Sequence, residues 1–199
     1  GGRIYDFMSD LVSSLYPDWK SIYRSFDVYT TRFNTQTYEE NRRYKLRGRE
    51  HGDESITWEH TSLYGSMTLM PINAPTNKYL IVLDMNNTTN RIMGMGLVKN
   101  LLAKHQRLRI HENPCFNEYT YKSNFYVSFE HLDKEKQDYI HEHFERVLFY
   151  GKGHHKRGCG FMRFPVKRLT YSDLKFLVHL FALYNPNKFT ETILMKKKH

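Results

Sequence analysis

A chain of 199 residues, 40 % apolar and 15 % aromatic, can bury one substantial core, which excludes intrinsic disorder and a disulfide-stapled miniprotein. Its formal charge of +9 calls for an acidic partner, and nucleic acid is the simplest. Two cysteines make no disulfide framework, which fits an intracellular protein. No apolar run reaches the roughly 18 residues of a membrane span and no signal-peptide pattern opens the chain, so no membrane partner is expected.

Residues 4–15 set Ile4, Phe7, Met8, Leu11 and Leu15 at helical spacing, and Pro17 limits that helix. A second short helix is predicted from Asp18, its cap, to about Phe26, with Trp19, Ile22, Tyr23 and Phe26 on one face. Together they form a helical prelude over 1–26. Residues 27–130 read mainly as strands, beginning with the alternation of Val28–Phe33. Thr37–Arg49 holds Arg42, Arg43, Lys45, Arg47 and Arg49, a basic run that suits a solvated face, a loop or a phosphate-binding strip. A short strand is predicted over 56–60. Pro71 and Pro75 make Leu69–Asn77 an extended connection.

The clearest local signal follows. The apolar run Tyr79–Leu83 leads through Asn86-Asn87-Thr88-Thr89-Asn90 to a second run, Ile92–Val98, which predicts a β-hairpin. Both runs are nearly continuous in apolar residues, as in strands covered on two faces. Asp84 is expected to cap the hairpin turn. A helical turn over 100–106, a half-exposed strand over 107–111 and strands within 119–129 come next.

Residues 131–185 read as two helices joined by a basic loop. Asp133–Phe149 carries an apolar stripe of Ile140, Phe144, Val147 and Leu148, and Gly151 stands where a C-cap glycine belongs. Thr170-Tyr171-Ser172-Asp173 opens the last helix, which Asn185-Pro186 stops. Residues 186–199 are expected to be a frayed tail. The order predicts a single α+β domain, 1–199, with a mainly antiparallel curved sheet or small barrel and flanking helices at both termini.

The loop Gly151–Gly160 has four glycines in ten residues, and Gly151–Arg168 holds six Lys or Arg and no acid. Such a segment suits polyanion. Lys152, His154, His155, Lys156, Arg157, Arg163, Lys167 and Arg168 are therefore the expected nucleic-acid contacts. Arg42, Arg43, Lys45, Arg47 and Arg49 form a second strip. Trp58 and Tyr64 are candidates to stack on a base.

No cofactor is expected. His111-x3-Cys115 and His155-x3-Cys159 repeat one spacing with zinc-type donors, but Pro114 interrupts the first pair and no Cys-x2-Cys is present. Two unrelated histidines and two small buried cysteines are the simpler reading. A metal-dependent nuclease is the alternative, with Asp84 and Asp53 or Glu54 holding the ion and Glu59 nearby. No Asp/Glu-x-Lys partner follows Asp84, so an enzyme is the less favoured class. A virion structural or protein-interaction module is the third reading.

The cadence of Tyr79–Val98, ending in Ile92-Met93-Gly94-Met95-Gly96-Leu97-Val98, resembles the PUA-like superfamily of EVE, YTH and ASCH domains. The resemblance covers about 20 residues of the chain. It implies a small curved β-barrel with helices beside it and a pocket for a base, sometimes modified, near residues such as Trp58. The composition also looks like that of a large DNA virus protein, which implies the cytoplasm or nucleus of a host cell, or a virion.

Overall fold

The computed structural model describes residues 2–50, 60–71, 73–102 and 108–194. The prelude forms where apolar periodicity placed it, as α1 (Gly2–Leu15) and α2 (Trp19–Ser25). Asp18 caps α2 by accepting from Ser21 N at 2.8 Å, and Ser21 Oγ accepts from Asp18 N in return. β1 (Phe26–Phe33) then leads into α3 (Thr35–Glu50) and β2 (Ser62–Ser66). The hairpin is β3 (Tyr79–Asn86) and β4 (Arg91–Val98), and Asn90 takes the left-handed conformation (φ 55°) in its turn. Asn86, not Asp84, caps that turn, its Oδ1 accepting from Thr88 N at 3.0 Å.

β5 (Tyr119–Ser123) and β6 (Tyr126–Ser128) follow. The predicted helix 133–149 is α4 (Lys134–Ile140) continued through one wide π turn, His141–Glu145, into α5 (Arg146–Phe149). β7 (Met162–Arg163) precedes α6 (Tyr171–Tyr184), which Thr170 and Asp173 open with a second capping box. Beyond it the chain does not fray at once. α7 (Pro186–Phe189) and a π turn, Thr190–Leu194, keep it helical, with Phe189 and Ile193 buried.

The strands form an open sheet in the order β6-β4-β3-β1-β7, with β2 and β5 paired separately. Pairing is mainly antiparallel, as expected, except that β1 and β3 run parallel at the centre. The α+β class holds. Among the described residues the main sheet ends at β6 and β7 and does not close on itself. Ile81, Leu83 and Met85 face the layer of α1, α2 and α4–α7, while Leu80 and Val82 face a second cluster with Tyr29, Tyr64, Tyr121 and Phe161. Two covered faces explain the unbroken apolar run of β3.

Three expectations change. Residues 35–50, read as a basic strip within a strand-rich stretch, are a helix. Residues 108–111 join no strand and do not alternate: Arg109 is exposed, and Ile110 and His111 are both buried. Asn100–Leu102 is not helical. The expected strand over 56–59 and the remainder of the 100–106 turn lie outside the described residues, apart from His60, Asn100, Leu101 and Leu102.

Candidate functional site

Asp84 is the only charged residue of β3, and period-two alternation turns it to the same side as Leu80 and Val82. It is 3 % exposed. The ladder is irregular at this point: Leu83 pairs with Met95 and Met85 with Ile92, so Met93 and Gly94 together lie opposite Asp84. This is a β-bulge, which re-aims a side chain.

A buried carboxylate needs donors. Tyr64 of β2 donates its hydroxyl to Asp84 Oδ1 at 2.8 Å, and Tyr126 of β6 donates to Oδ2 at 2.9 Å. The neighbouring strand makes room for both. A Cβ at Gly94 would overlap Tyr126 Oη and come 2.7 Å from the Val127 carbonyl oxygen. A Cβ at Gly96 would overlap Tyr64 Oη and meet Ser62 Oγ. The Gly-x-Gly of β4 is thus a seat for two phenols.

Lys45 comes to the same place from α3. It is 6 % exposed, and its Nζ lies 4.1 Å from the centroid of the Tyr126 ring. No carboxylate among the described residues lies within ion-pair distance of it. Burial pushes Lys45 down to about 8, against the pull of Asp84. Burial likewise pushes Asp84 up to about 7, against the Lys45 charge and the two tyrosine hydrogen bonds. Burial first, and the Asp84 charge second, drive the Tyr64 and Tyr126 phenols well above their ordinary range, so both remain donors. Tyr38 is raised to about 12, chiefly by burial.

This group borders a hollow of about 340 Å³, whose lining includes Tyr38, Asn41, Arg42, Lys45, Tyr126 and Tyr184. Four of those residues come from one stripe of α3, Tyr38, Asn41, Arg42 and Lys45, at helical i, i+3, i+4, i+7 spacing. Asn41 anchors the helix by donating Nδ2 to the Leu63 carbonyl at 2.7 Å. The walls are aromatic, and Arg42, Lys45, His60 and His131 add nitrogen groups.

Of the residues singled out from sequence, Arg42 and Lys45 meet here. Tyr64 does not line the hollow; it stands behind, on Asp84. Arg43 and Arg47 face a separate cleft with Arg109. Lys152 and Arg168 line a broad basin beside α5 with Arg146 and His141. Arg157 and Lys167 are exposed. Arg163 pairs with the buried Asp27 at 3.2 Å. Trp58, the side chain of Arg49, and Asp53, Glu54 and Glu59 lie outside the described residues. Cys115 and Cys159 are exposed rather than buried, and His111 Nδ1 lies 2.8 Å from Glu40 Oε2. Among the described residues no group of three His, Cys, Asp or Glu is placed to hold a metal ion.

The basic loop has structure of its own. The Arg32 guanidinium at the end of β1 donates to the carbonyls of His155 (3.3 Å) and Gly160, and Asn87 Nδ2 donates to the Lys156 carbonyl at 2.9 Å. Burial lowers Arg32 to about 10. His154 Nδ1 accepts from Lys156 N at 3.2 Å. His155 Nδ1 is buried with no hydrogen-bond partner among the described residues, and its pKa is lowered by burial and then by Arg32. Hydrogen bonds to a charged donor contribute about 1.5–3 kcal/mol each. Arg32→Met is therefore expected to raise tryptic cleavage after Lys156 and Arg157 by about tenfold or more, read by timed proteolysis and mass spectrometry. An unchanged cleavage rate would mean that other contacts hold the loop.

Comparison of the chain with protein-family models, with curated proteins and with solved structures finds no match in any of the three.

Proposed function

We propose that this protein binds nucleic acid and seats one unpaired base in the hollow between α3 and β6. The observation that carries the reading is Lys45, a buried ammonium set against an aromatic ring at the edge of a hollow of base-accommodating size, about 340 Å³. Tyr38 and Tyr184 offer surfaces for stacking. Lys45 offers donors to the acceptor edge of a base, and Arg42 at the lining suits the adjoining phosphate. The +9 charge supports the same partner class.

Base–aromatic stacking contributes about 1–3 kcal/mol per base, so Tyr184→Ala is expected to weaken binding of single-stranded oligonucleotides about 5- to 150-fold. Tyr184 is 39 % exposed, so its removal leaves the core intact. Fluorescence anisotropy with labelled single-stranded DNA and RNA of about eight nucleotides measures this directly. Equal affinity of wild type and Tyr184→Ala, or no binding at low salt, would refute the reading.

A further inference from the structure

The other flank of α3 carries a second hollow, of about 530 Å³, that the base pocket does not use. Arg43 and Arg47 face it from α3, and Arg109 faces it from the segment after β4. Arg43 and Arg47 stand at i and i+4, where like charges repel along a helix. Among the described residues none of the three makes an ion pair with a carboxylate. Two acids on the same cleft, Glu40 and Glu112, offset them in part. Glu40 is already engaged, by His111 Nδ1 at 2.8 Å and by Gln36 Nε2 at 3.3 Å, and its pKa is lowered by those partners despite burial. Glu112 is the remaining carboxylate among the described residues of the lining. Three guanidiniums and two carboxylates thus share one polar hollow, which keeps a positive excess among its described lining residues.

Planar guanidiniums bind phosphate oxygens in pairs. The site is separated from the base pocket by the width of one helix. Arg42 lines the base pocket and its chain neighbour Arg43 lines the cleft. A helix with its side chains is about 10 Å across, and a fully stacked strand advances about 3.4 Å per nucleotide, so at most about three nucleotides cross it.

We infer that the Arg43–Arg47–Arg109 cleft is a phosphate site, and that a single strand lies across α3 from the base pocket into it. The inference rests on the base-pocket reading for the direction of the strand, and on the three arginines for the site itself. It assigns the partner as single-stranded rather than duplex, because one base must leave its stack while phosphates at most about three nucleotides away reach the cleft.

Anisotropy titrations with a labelled mononucleotide and a single strand of about eight nucleotides, over a salt series, test it. Arg43→Gln/Arg47→Gln is the variant, since both side chains are exposed and the fold does not depend on them. Mononucleotide affinity is expected to stay at the wild-type value. Affinity for the longer strand is expected to fall about tenfold or more at low salt, with the log–log salt slope reduced by about 1.4 for two lost contacts. An unchanged strand affinity and slope, with mononucleotide binding intact, would overturn the cleft and leave the pocket. Loss of strand binding in the variant when the wild type binds no mononucleotide would support the cleft and refute the pocket. Equal or tighter binding of a duplex by the wild type would overturn the single-strand assignment.

Discussion

Gly96→Ala is expected to destabilise the protein by about 2–5 kcal/mol, although it adds only one methyl group. The methyl would occupy the space of Tyr64 Oη and press on Tyr64 Cε2 and Ser62 Oγ. None of these can withdraw freely. Tyr64 holds Asp84 Oδ1 at 2.8 Å, and Ser62 Oγ donates to the Phe125 carbonyl and accepts from Leu97 N at 3.3 Å. Moving the phenol strips a donor from a buried carboxylate, which adds a desolvation cost to the steric one. A double-mutant cycle with Tyr64→Phe separates the two. Gly96→Ala should cost at least about 1 kcal/mol less in the Tyr64→Phe background, read by urea unfolding. Gly94→Ala should gain less relief from Tyr126→Phe, because its methyl also meets the Val127 backbone oxygen, which no side-chain change removes. Additive costs in both cycles would show that the glycines do not serve the hydroxyls.

The second large effect is on the pH dependence of stability. Asp84 titrates at about 7 in the folded protein and near 3.8 in the unfolded chain. Between those values the native state holds the extra proton, so the favourable contribution is complete below about pH 4 and is lost as pH rises through 7. Lys45 runs the other way. It titrates at about 8 when folded and near 10.5 when unfolded, so burying its charge costs stability at neutral pH and that cost is relieved as pH rises from 8 towards 10.5. The pair thus imposes a dip in stability around pH 7–8. At about 1.4 kcal/mol per pH unit, the Asp84 limb is on the order of 4 kcal/mol at most. Lowered carboxylates such as Glu40 and Asp133 slope oppositely, so the informative quantity is wild type minus variant. Asp84→Asn is expected to remove the loss between pH 4 and 7, and Lys45→Met the recovery above pH 8, in urea unfolding across pH. Parallel curves for wild type and Asp84→Asn would refute the buried titration.

Much of the frame was legible because it is written in apolar periodicity. The hairpin, α1, α2, the 133–149 helix and α6 each present a stripe or run that the core requires, and Asp18 and Thr170 punctuate them by capping. α3 was not legible for the same reason. Its inward residues are Tyr38, Asn41 and Lys45, so the face it buries looks like a surface, and its arginines look like a loop. The spacing of those three residues was the one available sign. Asp84 reads from sequence as a turn cap or a metal ligand, because its partners Tyr64 and Tyr126 lie 20 and 42 residues away, on strands of two different sheets. That junction depends on long-range register, which local pattern does not encode. The Gly-rich loop was read for its cations, while the carbonyls that Arg32 and Asn87 hold are carried by every sequence alike.

The central parallel pair bears on how the chain folds. β1 has no hairpin partner: it pairs with β3, in which Phe26 meets Tyr79, and with β7, in which Tyr29 meets Arg163. During synthesis β1 therefore emerges with both edges unpaired and stays so until the hairpin has been made. The β3–β4 hairpin, whose strands are joined by a tight turn, is the template on which β1 docks, and β7 closes the far edge last. Contacts of this sequence separation carry a high loop-closure cost, so folding is slow beside that of a helical bundle of equal size. The strand most exposed to mispairing in the nascent chain is the one that ends at the centre of the native sheet.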